Sequence, residues 1–361
     1  MSDIRIEMIG SRERWEAIAL QWNELLNASI SDTIFLTYEW LSTWAEVYLR
    51  DSRLLILAIY EKNKLIGVAP CYVRKIKHGA ATLNAIFSLG TPEGSGDYFD
   101  VFMMRGYEKI VSNSIYDFLM TQDQAQWDLI ALYDYRCNSH FVMHFSDRIK
   151  KEGKYVEVTQ GHYCPVNILA ENKEKFFAGL SAKRRANYRR ELRLLETRGE
   201  LKHNSYTKEN IKNGMDAFTK LYLESEHQND CKYILFLQKL AMVLSRKDWI
   251  QIDILSSNGQ AIAGAFHPKY NYNVYGFSII ADKNFNTKVS IGNVLIGLCM
   301  EKAVEEGKRV FDMLKGTEDY KFSWTNDVNS SFNLLYYAKT IKCIPGLLLQ
   351  YAKSAGKIIL R

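Results

Sequence analysis

A short apolar run near the C-terminus, Phe311-Asp312-Met313-Leu314, leads into Lys315-Gly316-Thr317-Glu318-Asp319-Tyr320-Lys321. Loops leaving a strand often carry reactive groups, because the strand fixes them and the loop presents their polar ends. Asp312 or Glu318 can act as a base, Tyr320 as a proton donor, and Lys321 as a positive charge facing a developing oxyanion. An acyl transfer needs this set: an acceptor deprotonated, a carbonyl oxygen stabilised and a proton returned to a leaving thiol. The same alternation of charges also serves a surface ion-pair network. No serine or cysteine stands in a recognisable nucleophile motif, which favours direct transfer over a covalent intermediate.

Two elements must position these residues. The run Tyr272 to Ile280, with Phe277, Ser278 and Ile279 near its end, reads as a strand. After Lys283 and Lys288, the segment Ser290-Ile291-Gly292-Asn293 opens a helix that keeps Leu295, Leu298, Cys299, Ala303 and Val304 on one stripe and stops at Gly307. A helix start offers free N–H groups and a positive dipole end, and Gly292 lets a pyrophosphate approach the backbone closely. Ser290 acting only as a cap, with Gly292 serving tight packing, is the structural alternative.

Other residues are candidates for substrate contact. In Ser181 to Glu196, Tyr188, Leu192 and Leu195 form an apolar stripe beside a ridge of Arg185, Arg189 and Arg193, and Gly199 stops the helix. Arginine forks suit phosphate oxygens, although a solvated face explains the ridge equally well. Asp97, Tyr98 and Asp100 follow a glycine-rich loop and can line an acceptor pocket between two halves of the chain. His227 can face a cleft, and His267 closes a strand before Pro268.

Helical spacing at Trp15, Ile18, Trp22 and Leu25, and again over Phe35 to Tyr48, puts two helices first. A hairpin follows, Leu54 to Tyr60 with Leu65 to Tyr72, and a second recurs as Ile250 to Leu255 with Ala261 to Phe266. Aligning Leu65-Ile66-Gly67-Val68-Ala69 with Ile262-Ala263-Gly264-Ala265-Phe266 suggests an internal duplication. A strand at Asp97 to Phe102, a helix near Glu108 to Met120, a strand at Trp127 to Leu132 and a helix near Ser139 to Lys151 complete the first half. The expected fold is α/β (α+β), with domains at 1–170 and 171–361 and a basic connecting helix at about 181–199.

At 361 residues, 47% hydrophobic and 13% aromatic, the chain suits two compact domains of about 150 to 200 residues and excludes a disordered or fibrous protein. The net charge of +6 is too mild for a generic nucleic-acid binder, so anionic ligands enter through local clusters. The 6 cysteines form no CxxC pair or metal-ligand spacing, so no metal is expected and a cytoplasmic setting fits. The start, Met1 to Glu16, lacks the apolar core of a signal peptide, and no run of about 18 apolar residues would span a bilayer. Residues 346–361 combine Leu347-Leu348-Leu349 with Lys353, Lys357 and Arg361, a pattern that fits a terminal helix packed on its domain or a peripheral contact with the inner membrane face.

The string Ser290 to Leu295, then Glu305-Glu306-Gly307, Phe311-Asp312, Lys315-Gly316 and Tyr320-Lys321, resembles the C-terminal signature of the CelD-like (BcsL-like) acetyltransferase family of the GNAT superfamily, which is related to the Fem-type peptidyl transferases. The resemblance implies tandem GNAT-like domains, each a mixed β-sheet flanked by helices. It also implies acetyl-CoA or another acyl-CoA as co-substrate, lying along Phe277, Ser278 and Ile279 with its pyrophosphate at Ser290, Ile291, Gly292 and Asn293 and Lys288 nearby. The implied activity is N- or O-acyl transfer to a sugar, amino-acid or cell-envelope polysaccharide intermediate. The alternatives are a Fem-type transferase that draws on aminoacyl-tRNA, which would give the basic helix a second meaning, and a non-catalytic binding module.

Overall fold

The computed structural model describes residues 3–79, 81–91, 96–121, 127–225, 230–285 and 288–348. The chain forms two compact units, 1–162 with 330–361, and 163–329.

In the first unit, β1 (Ile4–Ile9) is followed by helices α1 (Arg12–Glu16), α2 (Ala19–Ala28) and α3 (Tyr38–Tyr48), then by β2 (Arg53–Glu61), β3 (Lys64–His78) and β4 (Ala81–Ser88). Next come β5 (Phe102–Met103), α4 (Glu108–Thr121), β6 (Leu129–Arg136), α5 (His140–Lys151) and β7 (Glu157–Ile168), within which the chain passes into the second unit. Helix starts follow capping chemistry: the Thr37 hydroxyl accepts from the Trp40 amide, and Ser139 accepts from Val142. Strand order is β1-β2-β3-β4-β6, closed by the last strand among the described residues, β14 (Asp327–Tyr337), antiparallel to β6. Residues 330–361 therefore belong with the first unit although they follow the second in sequence.

The second unit repeats this succession. Helices α6 (Lys173–Gly179) and α7 (Ala182–Glu196) precede β8 (Leu201–Tyr206), α8 (Ile211–Leu223) and α9 (Cys231–Ser245). The hairpin β9 (Ile250–Ser257) and β10 (Gln260–Tyr270) leads to β11 (Asn273–Tyr275), β12 (Ser278–Ala281), α10 (Ile291–Glu305), β13 (Val310–Asp312) and α11 (Asp319–Trp324). The order is β7-β13-β11-β10-β9-β8, with β12 also on β10. The β13–β11 pair is parallel and its neighbours are antiparallel, giving a mixed sheet. Alternation along β10 sorts the faces: Gly264 packs under Phe218 and Leu221 of α8, whereas Ala263 and Ala265 join the core built on α10.

Both hairpins carry a bulge, at Ile66 and at Ile262, equally far from their two-residue turns. Aligning the turns pairs Ile66 with Ile262 and Gly67 with Ala263, one residue away from the alignment that matched Gly67 to Gly264. The strand expected at Asp97 to Phe102 shrinks to β5 and one bridge from Phe99 to Tyr135. The cause is local: Tyr98 takes a left-handed φ of 57°, and Asp100 turns inward to hydrogen-bond Ser31 and Ser139.

Candidate functional site

The run from Tyr272 to Ile280 is two strands rather than one. Opposite His267 and Pro268 of β10 stand three residues, Tyr275, Gly276 and Phe277, and this extra residue bends the chain. Before the bend, Tyr275 pairs with Asp312; the Gly276 amide then donates to the Asp312 carbonyl at 2.7 Å. Beyond it, β12 pairs with β10, while the chain after β13 turns to the other side, where the Met313 amide donates to the Pro165 carbonyl at 2.9 Å. The two parallel strands thus part at Gly276 and Asp312. Ser278 and Ile279 lie half-buried on the diverging strand, and Phe277 stacks on Tyr233.

Helix α10 starts beside this opening. No side chain caps it: Ser290, at the cap position, accepts instead from the Asn293 side chain at 2.9 Å, so Ser290 is not the cap that its type suggested. The first-turn amides are left to solvent or a ligand. A Cβ on Gly292 would meet nothing nearer than Ile279 at 4.0 Å, which places Gly292 against β12 with room to spare. The indole N–H of buried Trp324 donates to the side-chain Oδ1 of Asn293 at 3.2 Å and fixes the start of the helix. Lys288 is exposed on the approach to it.

The loop after β13 is tightly held. The buried Asp312 carboxylate accepts from the Leu314 amide at 2.8 Å and holds Leu314 at a φ of 57°. Gly316 has a φ of 138°; a Cβ there would lie 2.0 Å from a Glu318 carboxylate oxygen and 2.5 Å from Lys321 Nζ. Lys321 is 7% exposed, donates to the Lys315 carbonyl at 2.5 Å and pairs with Glu318 at 3.4 Å. Burial, and then the Glu318 carboxylate, push the Tyr320 hydroxyl above its ordinary pKa, so it keeps its proton through the neutral range. Glu318, Tyr320 and Lys321 are therefore brought together, with Glu318 facing solvent, while Asp312 at the end of β13 holds the turn through the Leu314 amide.

The remaining candidates divide. Arg185 donates to the carbonyls of Phe177, Ala178 and Leu180 and so closes the end of α6, whereas Arg189 is exposed over the Phe177 ring. Arg184, its neighbour, turns inward and stacks on Trp324 at 4.3 Å; among the described residues its Nε and Nη2 have no hydrogen-bond acceptor, the Glu191 carboxylate lying 3.8 Å from Nη2. Asp97, Tyr98 and Asp100 are buried in the first unit, with Asp100 only 1% exposed. His227 lies outside the described residues. His267 does not close its strand, since β10 runs on to Tyr270 and Pro268 pairs with Ile250; it is buried and donates toward Asp253 from Nδ1 at 3.2 Å.

Asp253 was not singled out from the sequence, nor were His203 and Cys299 as its partners. Burial alone would raise the Asp253 pKa, but hydrogen bonds from His203 and His267 hold it below the carboxylate range. Burial, followed by the Asp253 charge, pushes the Cys299 thiol well above its ordinary value. These residues lie far apart in sequence and follow no motif; only the strand alternation that turns them toward α10 brings them together.

Residues 182–322 match the family described as Acetyltransferase (GNAT) domain. No curated protein matches the chain in sequence. Among solved structures, the chain is similar to FemX, at 11% identity with a TM-score of 0.61, covering 92% of this chain and 97% of that one. It is also similar to a conserved protein of unknown function from Bacteroides thetaiotaomicron (13%, TM-score 0.55, 92% and 100% covered) and to L-PGS from Bacillus licheniformis (11%, 0.50, 88% and 96%). At such identities the likeness is one of fold. The fold is mixed α/β, and the match to the GNAT-domain description is confined to 182–322. Among the described residues no helix is long and apolar enough to cross a membrane, and nearly all of 346–361 lies outside them.

Proposed function

We propose that the chain is an acyl-CoA-dependent acyltransferase, of the acetyl-transferring CelD-like kind, that acts by direct transfer on an amine or hydroxyl of a sugar, amino-acid or cell-envelope intermediate. The observation that carries this reading is the parting of β12 from β13 beside the uncapped start of α10. An extended amide-bearing arm fits the edge of β12, and a pyrophosphate fits the amides of Ile291, Gly292 and Asn293, with Lys288 at the approach. When bound, the thioester supplies the activated acyl group.

The residues of the β13 loop then take separate roles. Glu318, exposed and beside a buried cation, accepts the acceptor's proton; Asp312 shapes the turn that presents it. Lys321 holds positive charge under the loop and faces the oxygen on which negative charge develops. Tyr320, which stays protonated, returns a proton to the leaving thiol.

A second reading is favoured by one observation. Lys183, Arg189, Arg190 and Arg193 are exposed along α7, a surface suited to a polyanion such as the aminoacyl-tRNA of a Fem-type transferase. A thermal-shift panel separates the two. Acetyl-CoA or a longer acyl-CoA should raise the melting temperature of the wild type and not of Gly292→Asp; stabilisation by aminoacyl-tRNA alone, lost steeply with salt, would select the second reading.

A further inference from the structure

The sheet face under α10 carries a polar cluster that acyl transfer does not use. Asp253 on β9 is fully buried, and its carboxylate accepts from Ser205 at 2.5 Å, His203 Nε2 at 3.0 Å, Gln251 at 2.9 and 3.1 Å, and His267 Nδ1 at 3.2 Å. Cys299 of α10 stands over the same group. One ligand atom each from His203, Asp253 and Cys299 lies within 4.8 Å of the other two. Tetrahedral zinc, with bonds of about 2.0 to 2.3 Å, spaces its donors roughly 3.3 to 3.7 Å apart, so modest side-chain rotation closes the set.

We propose that His203, Asp253 and Cys299 bind a zinc-class divalent ion as a structural centre tying helix α10 to strands β8 and β9. The donor set mixes nitrogen, oxygen and sulfur, which suits zinc and not magnesium or calcium. His203 stands at a shallow opening that Ser205, Leu298, Glu301 and Lys302 also line, and this gives the ion an entry path and leaves its fourth position to water. His267 supplies the outer shell: its Nδ1 holds Asp253, while its buried Nε2 meets no partner among the described residues. Binding releases the Cys299 thiol proton to solvent, leaves the His203 ring neutral with its proton on Nδ1, and involves no redox change. The centre stands independently of the acyl-CoA reading.

The test strips the full chain with a chelator and titrates it with Co2+. The expected spectrum has intense tetrahedral d–d bands and a thiolate-to-cobalt charge-transfer band at a stoichiometric endpoint, and Zn2+ displaces it. Cys299→Ala should lose the charge-transfer band, and His203→Gln should weaken Co2+ binding by about 100-fold or more. Absence of the bands in folded wild-type protein overturns the proposal, as does a charge-transfer band that persists in Cys299→Ala, since the other cysteines would then be its source. Should Cys299→Ala not fold, His203→Gln at the partly exposed lip decides: unchanged Co2+ affinity refutes the site.

Discussion

Asp100 offers a prediction whose sign and size follow from its surroundings. The carboxylate is 1% exposed and accepts from Ser31 at 2.7 Å, Ser139 at 2.6 Å and the Val101 amide at 2.9 Å. Burial nevertheless outweighs these donors and the nearby Arg136 charge, and pushes its pKa up from 3.8 to about 6. Between those values the native state keeps a proton that the unfolded chain has released, so stability present below about pH 4 is lost as pH rises through about 6. At about 1.4 kcal/mol per pH unit, the whole span is worth about 3 kcal/mol. Asp100→Asn removes the titration. Urea unfolding of both proteins from pH 4 to 7 should show their stability difference moving by up to about 3 kcal/mol in favour of the variant; any constant offset from altered hydrogen bonds cancels. Of the 7 tryptophans, Trp15, Trp22, Trp40, Trp44 and Trp127 lie in the same unit as Asp100, so indole fluorescence reports on it. Parallel stability curves for the two proteins would refute the argument.

Two further substitutions probe the second unit. Gly297→Ala would put a methyl 2.3 Å from the Tyr188 ring and 2.8 Å from the Trp324 ring, both buried and rigid. Overpacking of about 1–3 kcal/mol outweighs the roughly 1 kcal/mol gained in helix propensity, and chemical denaturation should show net destabilisation; a more stable variant would contradict the packing of α7 and α11 on α10. Gly316→Ala combines a left-handed φ, costing about 1–3 kcal/mol, with displacement of Glu318 and Lys321. Acetyl-CoA affinity by fluorescence quenching should be retained while CoA release with an active acceptor falls, and equal losses of both would count against the roles given to this loop.

Elements set by local signals were legible in the sequence. The stop at Gly307 and the tight turns of the two hairpins are chemistry of neighbouring residues, and those elements stand where expected, whereas β1 precedes the two helices expected first and the helix expected over Phe35 to Tyr48 begins at Tyr38, after the Thr37 cap. What escaped depends on distant partners. The break at Gly276 arises because the parallel partner β13 ends there, and nothing within Tyr272 to Ile280 marks it except a glycine. The hairpin alignment slipped by a residue because it matched Gly67 to Gly264 by residue type, whereas the turns and the bulges, which fix the register, pair Gly67 with Ala263. Arg185 looked like part of a ligand ridge, since its carbonyl partners belong to a helix end visible only once folded. Asp253 alternates with isoleucines on β9 much as Gln251 does, so nothing in the strand singles it out, and its histidine partners come from two other strands.

In the proposed site an acyl-CoA pyrophosphate sits on the uncapped start of α10. Isothermal titration of acetyl-CoA into wild type, Gly292→Ala and Gly292→Asp tests it directly. The space beside Gly292 admits a methyl, so the alanine variant should fold as wild type and bind more weakly where the methyl crowds the phosphates, and the aspartate should abolish binding by repelling them. Equal affinity in wild type and Gly292→Asp would contradict the site.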